Sequence, residues 1–318
     1  MKTIKKLISP ITYFIIKSYR DKYIMQPVND GLYEQNIIKD PDEASIIIKK
    51  ALLSDKPCMI SRYGIVELDA TLNYRKDALL SFLRNIYPFW VGKETKNKMQ
   101  TNAGFFPINN RMLSEFSDLM MGIAPEIDLL TTFRPVEELM PGVNCIKIKA
   151  PYLEPFWSKI PWTSVLKGKK ILVIHPFAET ISKQYEKREL LFDNKEILPE
   201  FGSFHIVRAI QSIGGQNNGF ATWFDALEYM KKQIDKVDYD IALIGCGAYG
   251  MPLAAYCKRM GKKAVHIGGA LQLLFGIKGN RWEIEQPIYK KLYNEHWVRP
   301  LESERPPSAQ NVENACYW

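Results

Sequence analysis

Three glycines within residues 241–269 have the spacing of a phosphate-binding turn. Gly245, Gly247 and Gly250 form the pattern Gly-x-Gly-x-x-Gly between an apolar run and a helix-like segment. In such a strand-to-helix turn the backbone comes close to a ligand, and the amides of the helix N-terminus attract phosphate. The same spacing also occurs in tight turns that only pack a helix on a strand. The pattern therefore indicates either a phosphate-binding turn or a structural one.

The residues after this turn disfavour NAD and S-adenosylmethionine as ligands. In dinucleotide-binding proteins an Asp or Glu about 20 residues further on binds the ribose. Here the next apolar run ends in Val265, His266 and Ile267 and contains no acid. A nucleotide bound through its phosphates agrees better with the pattern, and a Rossmann-type oxidoreductase or methyltransferase is an alternative.

A second polar group follows the apolar run "KKILVI". His175 comes at its end and Glu179 four residues later, where doubly wound sheets place their ligands. A histidine there can take a proton from a hydroxyl or donate a hydrogen bond to a phosphate oxygen. The alternative is a histidine that is hydrogen-bonded at a strand end and has only a structural role.

Arg62, Gly64 and Glu67 follow a third apolar run, "CMIS". Glu67 is a candidate for catalysis or donor binding, or else an acid that complements the dipole in the first turn of a helix. Further along, Lys278 and Arg281 could neutralise a diphosphate, or could be solvated loop charges. Aromatic residues at Phe156, Trp157 and Trp162 either stack on a sugar or base or belong to the core.

The alternation of apolar runs with helical patterns predicts an α/β fold with a doubly wound, mostly parallel, Rossmann-like sheet. A helix should begin after Asp40, another should run from about Glu67 to Leu83, and a third should begin after Thr222. Short buried strands are predicted in "EIDLLTTF" and "NCIKIKA". We expect a single domain over 31–318, with two halves joined near 150–170.

Composition narrows the classes of partner. The net charge of +8 favours anionic partners such as nucleotides or anionic lipid surfaces, and we expect no nucleic acid partner. Five dispersed cysteines suit a reducing compartment, and four histidines without paired spacing disfavour a zinc site. We therefore expect a cytoplasmic protein.

Residues 1–30 form a basic, amphipathic N-terminal segment. Lys2, Lys5 and Lys6 precede an apolar run over 7–16, which is too short for a membrane span of roughly 20 residues. Such a segment can lie in the interface of an anionic membrane, here the inner face. The alternative is a first helix packed on the protein's own core.

Two blocks resemble the GT-D type glycosyltransferases, the family first described as DUF1792. "SRYGIVELDA" at 61–70 is similar to the family's Arg-Phe/Tyr-Gly-Asp-Gly-Glu segment, and "LIGCGAYGMPLAAYCKRMGKKAVHIGGALQ" is similar to its late glycine-turn block. The resemblance extends in order over roughly 55–275. It implies transfer of a hexosyl-type sugar from a nucleotide-diphosphate-sugar donor to a surface glycan or a lipid-linked precursor. The donor would contact Arg62, Gly64 and the glycine turn.

The chain departs from the family pattern at the metal-binding position. Ile65 stands where the family has its Asp, and His266 replaces the Asp before Ile-Gly, while Glu67 matches. The family's cation, Mn²⁺ or Mg²⁺, would lose a ligand, so we expect weak metal dependence unless Asp69 replaces it from extended backbone. The alternative is a non-catalytic nucleotide-binding or scaffold protein of a glycan-assembly complex.

Overall fold

A computed structural model describes residues 36–73, 93–142, 145–215 and 219–318. The N-terminal segment 1–30 and the predicted end of the second helix at Leu83 lie outside these residues. Within the described part of the chain, no helix is long and apolar enough to cross a membrane.

Strands and helices alternate along the chain. In chain order they are β1 (Ile37–Ile38), α1 (Pro41–Leu53), β2 (Cys58–Ser61), α2 (Ile65–Asn73), α3 (Lys93–Thr101), α4 (Asn110–Ile123), β3 (Leu129–Thr132), β4 (Ile146–Lys149), β5 (Lys170–His175), α5 (Ala178–Tyr185), α6 (Arg188–Leu191), β6 (Ser203–Arg208), α7 (Trp223–Ile234), β7 (Ile241–Ile244), α8 (Gly250–Arg259), β8 (Lys263–His266) and α9 (Leu271–Leu274).

The described strands form one parallel sheet in the order β1-β4-β3-β2-β8-β7-β5-β6. The predicted α/β, doubly wound, Rossmann-like fold is therefore confirmed. Strands β2, β8, β7 and β5 are neighbours at the centre, and their carboxyl ends lie at the same edge. Ile174 pairs with Ile244, and Ile244 pairs with His266, so these ends are almost level.

Alternate residues of each central strand face two separate cores. Leu172 and Ile174 of β5 pack in the core that contains buried residues of α4, α7 and α8. Ile171 and Val173 face the other core, formed with α1, α5 and the C-terminal segment that follows α9 (residues 275–318). Because both faces are covered, the middle residues of the central strands are apolar.

Local signals explain where the helices begin. The Asp40 carboxylate accepts the Glu43 amide at 2.8 Å, and Thr222 forms a capping box with Asp225, as the sequence predicted. The prediction that "NCIKIKA" is a buried strand is wrong for most of β4, since Ile146 is 49% exposed. The cause is position: β4 has only the two-residue strand β1 outside it.

Candidate functional site

A cleft of about 1170 Å³ opens at the carboxyl edge of the sheet. Seven strands, β2 to β8, supply its walls through their carboxyl ends or through the residues that follow them. The three predicted strand-end groups, at Arg62–Glu67, His175 and the glycine turn, all line this cleft, together with residues of the C-terminal segment. In a doubly wound sheet this is the edge where ligands bind.

Each glycine of the turn has a steric reason to be glycine. A Cβ on Gly245 would lie 2.6 Å from the Gly268 carbonyl oxygen, and one on Gly250 would lie 2.2 Å from His266 Nε2. Gly247 has φ +57°, a left-handed conformation that favours glycine. Gly245 and Gly247 line the cleft, while Gly250 packs against His266 behind it. The turn thus has a packing role and also presents backbone to the cleft.

Aromatic packing holds the turn in place. Tyr249 stacks on the buried Trp223 of α7, with 4.7 Å between ring centroids. Its hydroxyl lies 3.1 Å from Ser212 Oγ, which donates to the Gly104 carbonyl at 2.6 Å. The start of α8, with the amides that precede its first full turn, is therefore anchored to two other elements.

His175 presents a hydrogen-bond donor to the cleft. Its Nδ1 accepts the Phe177 amide at 3.0 Å, so the neutral ring carries its proton on Nε2. Burial lowers the pKa of His175 from 6.5 to about 3, and the ring is neutral at pH 7. Of the two roles considered from sequence, donation to an anion agrees with this geometry. Proton abstraction does not, because Nδ1 is occupied and Nε2 is protonated.

Glu67 lies in the first turn of α2 and folds back over Gly64. A Cβ on Gly64 would lie 2.0 Å from Glu67 Oε2, so a side chain at position 64 would displace this carboxylate from its present position. Burial raises the pKa of Glu67, while its own backbone amide and the charge of Arg62 lower it. Glu67 therefore complements the helix N-terminus, as one of its two interpretations expected, and it also lines the cleft.

Arg62, like the more exposed Lys149, is a cation of the cleft that has no ion-pair partner among the described residues. Its guanidinium lies over the Phe133 ring, 5.3 Å from the centroid, and its side chain passes Gly268. No described carboxylate approaches within ion-pair distance. Burial raises the pKa values of Glu67 and Glu154, and the charge of Arg62 offsets part of this rise. A planar guanidinium without an ion-pair partner among the described residues is suited to bind phosphate oxygens.

His266 ends β8 at the position where a ribose-binding acid was sought. Its Nδ1 lies 3.1 Å from Ser61 Oγ, and the ring is buried. Burial, and then the charge of Arg62, lowers the pKa of His266 to about 3, so it adds no charge at pH 7.

Three predicted site residues have other positions or partners. Glu179 pairs with Lys183 on the surface, and Lys278 lies over the Tyr293 ring, so neither lines the cleft. Arg281 does line it, but its guanidinium is bound by Glu313 and by the Tyr317 hydroxyl. An internally paired arginine is a weaker candidate for diphosphate binding than Arg62 is.

Sequence reasoning missed the carboxylate at Glu154. It lies in the loop after β4 and lines the cleft beside Trp157 and Tyr289. Of the three aromatic residues considered in this loop, Trp157 lines the cleft, whereas Trp162 is fully buried and Phe156 stacks on Phe192. The signal was the strand end itself, because β4 is parallel to the strands that deliver the other groups.

The family's metal site does not fit the residues present. Ile65 is 52% exposed where the family has its Asp. Asp69 lies on the helix α2, two residues from Glu67, and binds Arg134 Nη1 at 2.8 Å, so it cannot complete the site. Over the described ranges, no group of three or more His, Cys, Asp and Glu is placed to hold a metal ion.

Comparison of the chain with protein-family models, curated proteins and solved structures gives no significant match.

Proposed function

We propose that this protein is a glycosyltransferase that uses a nucleotide-diphosphate-sugar donor and transfers a hexosyl-type sugar to a surface glycan or lipid-linked acceptor. The observation that carries the proposal is the unpaired Arg62 guanidinium in a cleft that also contains the glycine turn. A second support is the similarity of residues 61–70 and of the glycine-turn block to the GT-D type glycosyltransferases.

The proposed roles follow from the donors that face the cleft. Arg62 and the Nε2–H of His175 would bind the diphosphate, and the N-terminus of α8 would add its dipole. As the bond to the sugar breaks, negative charge grows on the leaving diphosphate, and preorganised donors stabilise such charge. Arg62 would thus supply the positive charge that a divalent metal ion supplies in many transferases. The Glu67 carboxylate would accept a hydrogen bond from a hydroxyl group of the nucleotide sugar.

A thermal-shift screen tests the donor class. We expect UDP or GDP to stabilise the protein more than CMP, NAD or S-adenosylmethionine does, with no requirement for Mn²⁺. At about 100 times Kd a ligand adds roughly 2.7 kcal/mol to the free energy of unfolding. Arg62→Ala should abolish this shift, whereas Arg111→Ala should retain it, because Arg111 is an exposed residue of α4 that pairs with Glu115. Stabilisation by NAD or S-adenosylmethionine alone would contradict the proposal.

A non-catalytic nucleotide-binding protein is the second candidate. It is favoured by Ile65, which stands in place of the family's Asp, and by the Glu67 carboxylate, which folds back on its own helix. The two candidates differ in turnover. A glycosyltransferase should slowly hydrolyse or transfer the sugar of the nucleotide sugar that it binds, and mass spectrometry would detect the released nucleotide. Binding without any such release would favour the second candidate.

A further inference from the structure

Glu154 is a buried carboxylate in which one oxygen accepts hydrogen bonds from described residues and the other accepts none. Its side chain is 9% exposed and lines the cleft. Oε2 accepts the Tyr289 hydroxyl at 2.5 Å and the Trp157 indole N–H at 3.0 Å. No described residue donates to Oε1, and this atom keeps access to the cleft. The two donors to Oε2 therefore hold the carboxylate in one orientation, with Oε1 directed away from them.

Other buried glutamates of the chain differ in this respect. Glu304 accepts the amides of Glu179 and Thr180 through its two oxygens. Glu137 accepts the Thr132 hydroxyl on one carboxylate oxygen and the backbone amide of Phe133 on the other. These two carboxylates are satisfied within the protein and have structural roles. Oε1 of Glu154, in contrast, reaches the cleft without a donor from the described residues, so it can accept a hydrogen bond from a ligand there.

The rings around Glu154 indicate what kind of ligand supplies that donor. Trp157 and Tyr289 meet edge to face with 5.2 Å between centroids, and both line the cleft. Lys291 Nζ lies 4.7 Å from the Trp157 centroid. Aromatic rings next to a single fixed acceptor suit a ligand with an apolar face and hydroxyl groups. A neutral sugar has both features, whereas an anionic group would be repelled by Glu154.

The size of the cleft leaves room for this ligand beside a nucleotide. Pockets for single small ligands measure about 300–1000 Å³, and this cleft measures about 1170 Å³. Arg62 is close enough to both regions for its charge to act on Glu67 and on Glu154.

We propose that Glu154, Trp157 and Tyr289 form a subsite for a neutral sugar, in which Glu154 Oε1 accepts a hydrogen bond from a sugar hydroxyl. Under the proposed function, on which its role rests, this subsite holds the acceptor glycan. The subsite is separate from the nucleotide region at Arg62, His175 and the glycine turn.

Saturation-transfer NMR on the full chain tests the subsite without a donor. The probes are methyl glycosides of glucose, galactose, mannose and N-acetylglucosamine. We expect at least one to bind, and Glu154→Gln to weaken its binding at least tenfold. The glutamine oxygen would stay with the two donors to Oε2 and turn its amide N–H₂, which cannot accept, toward the cleft. Glu138→Gln is the matched control, because Glu138 pairs with Lys147 away from the cleft.

The nucleoside diphosphate shift, measured on each variant, separates the possible outcomes. Loss of glycoside binding with an unchanged nucleotide shift supports the subsite and shows that Glu154→Gln is folded. Equal glycoside binding by wild type and Glu154→Gln overturns it, as does the absence of glycoside binding when nucleotides bind. If Glu154→Gln loses the nucleotide shift as well, the variants Trp157→Leu and Tyr289→Phe are tested in its place. Unchanged glycoside binding by both of these variants overturns the subsite. Glycoside binding without any nucleotide shift would instead contradict the proposed function and leave a sugar-binding site.

Discussion

At the scale of single residues, burial determines the protonation state of the two histidines in the cleft. His175 and His266 end neighbouring parts of the sheet, and burial lowers the pKa of each to about 3. A neutral His175 can donate from Nε2 to an anion at physiological pH, but it cannot add positive charge. Positive charge at the site therefore comes from other side chains such as Arg62, whose charge does not depend on pH in this range.

The depressed pKa of His175 predicts a pH-dependent contribution to stability. In the unfolded chain the ring takes up a proton near pH 6.5, while in the folded protein it stays neutral down to about pH 3. Stability is therefore lost as the pH falls below 6.5. Between pH 7 and pH 5 the stability difference between wild type and His175→Asn should shift by about 2 kcal/mol in favour of the variant. Urea unfolding at both pH values measures it, and a constant difference would contradict the assignment.

Gly250 should not tolerate a side chain. Its Cβ would lie 2.2 Å from His266 Nε2, in a buried contact between α8 and β8. We expect Gly250→Ala to lower the free energy of unfolding by roughly 1–3 kcal/mol through overpacking. The control is Gly122→Ala on α4, where nothing lies within 4 Å and alanine should stabilise by about 0.5–1 kcal/mol. Thermal unfolding of both variants compares them, and equal effects would show that the contact is relieved by a small shift.

At the scale of elements, the C-terminal segment closes the site and also caps a helix. Arg281, Glu313 and Tyr317 from this segment line the cleft and bind one another. Glu304 accepts the first amides of α5, so it satisfies donors that a helix N-terminus leaves open. The segment is therefore part of the fold and does not only cover it.

Removal of the Glu304 carboxylate should loosen this connection. Glu304→Ala leaves the buried amide of Thr180 unpaired and should cost roughly 1–3 kcal/mol of stability. Glu302→Ala, in the same short turn but exposed, should change stability by no more than about 0.5 kcal/mol. Chemical denaturation measures both. A similar loss in the two variants would mean that the cap contributes little.

At the scale of the whole molecule, the strand order decides which groups meet. The loops after β2, β5 and β7 are far apart in sequence but close together at the sheet edge, because these strands belong to the central order β2-β8-β7-β5. The crossover between β4 and β5 brings the Glu154 loop to the same edge. The cleft thus collects one polar group from each of several distant segments.

The N-terminal segment, which lies outside the described residues, stays a prediction at this scale. Its basic residues should attract anionic lipid at about 1 kcal/mol each near the surface, and its apolar run is too short to span. We expect salt-sensitive flotation of the full chain with phosphatidylglycerol vesicles, and none after deletion of residues 1–24. The truncated protein should keep its nucleotide shift. Equal flotation of both forms would indicate that the segment packs on the protein's own core.

The sequence by itself determined the fold class and most element starts. Apolar runs of strand length mark β5 and β7, and side-chain caps such as Asp40 and Thr222 mark helices, because these signals act over a few residues. The edge strands β1 and β6 were missed, since β1 is only two residues long and His205 interrupts the apolar residues of β6.

The tertiary structure alone decided the state of the candidate site. Arg62 and Arg281 are both arginines near glycines in sequence, yet only packing leaves the first without an ion pair and binds the second to Glu313. Likewise, Glu154 gains its fixed orientation from Tyr289, which lies 135 residues away. Charge pairing and burial depend on contacts between distant segments, so they follow from the order of strands in the sheet and not from local pattern.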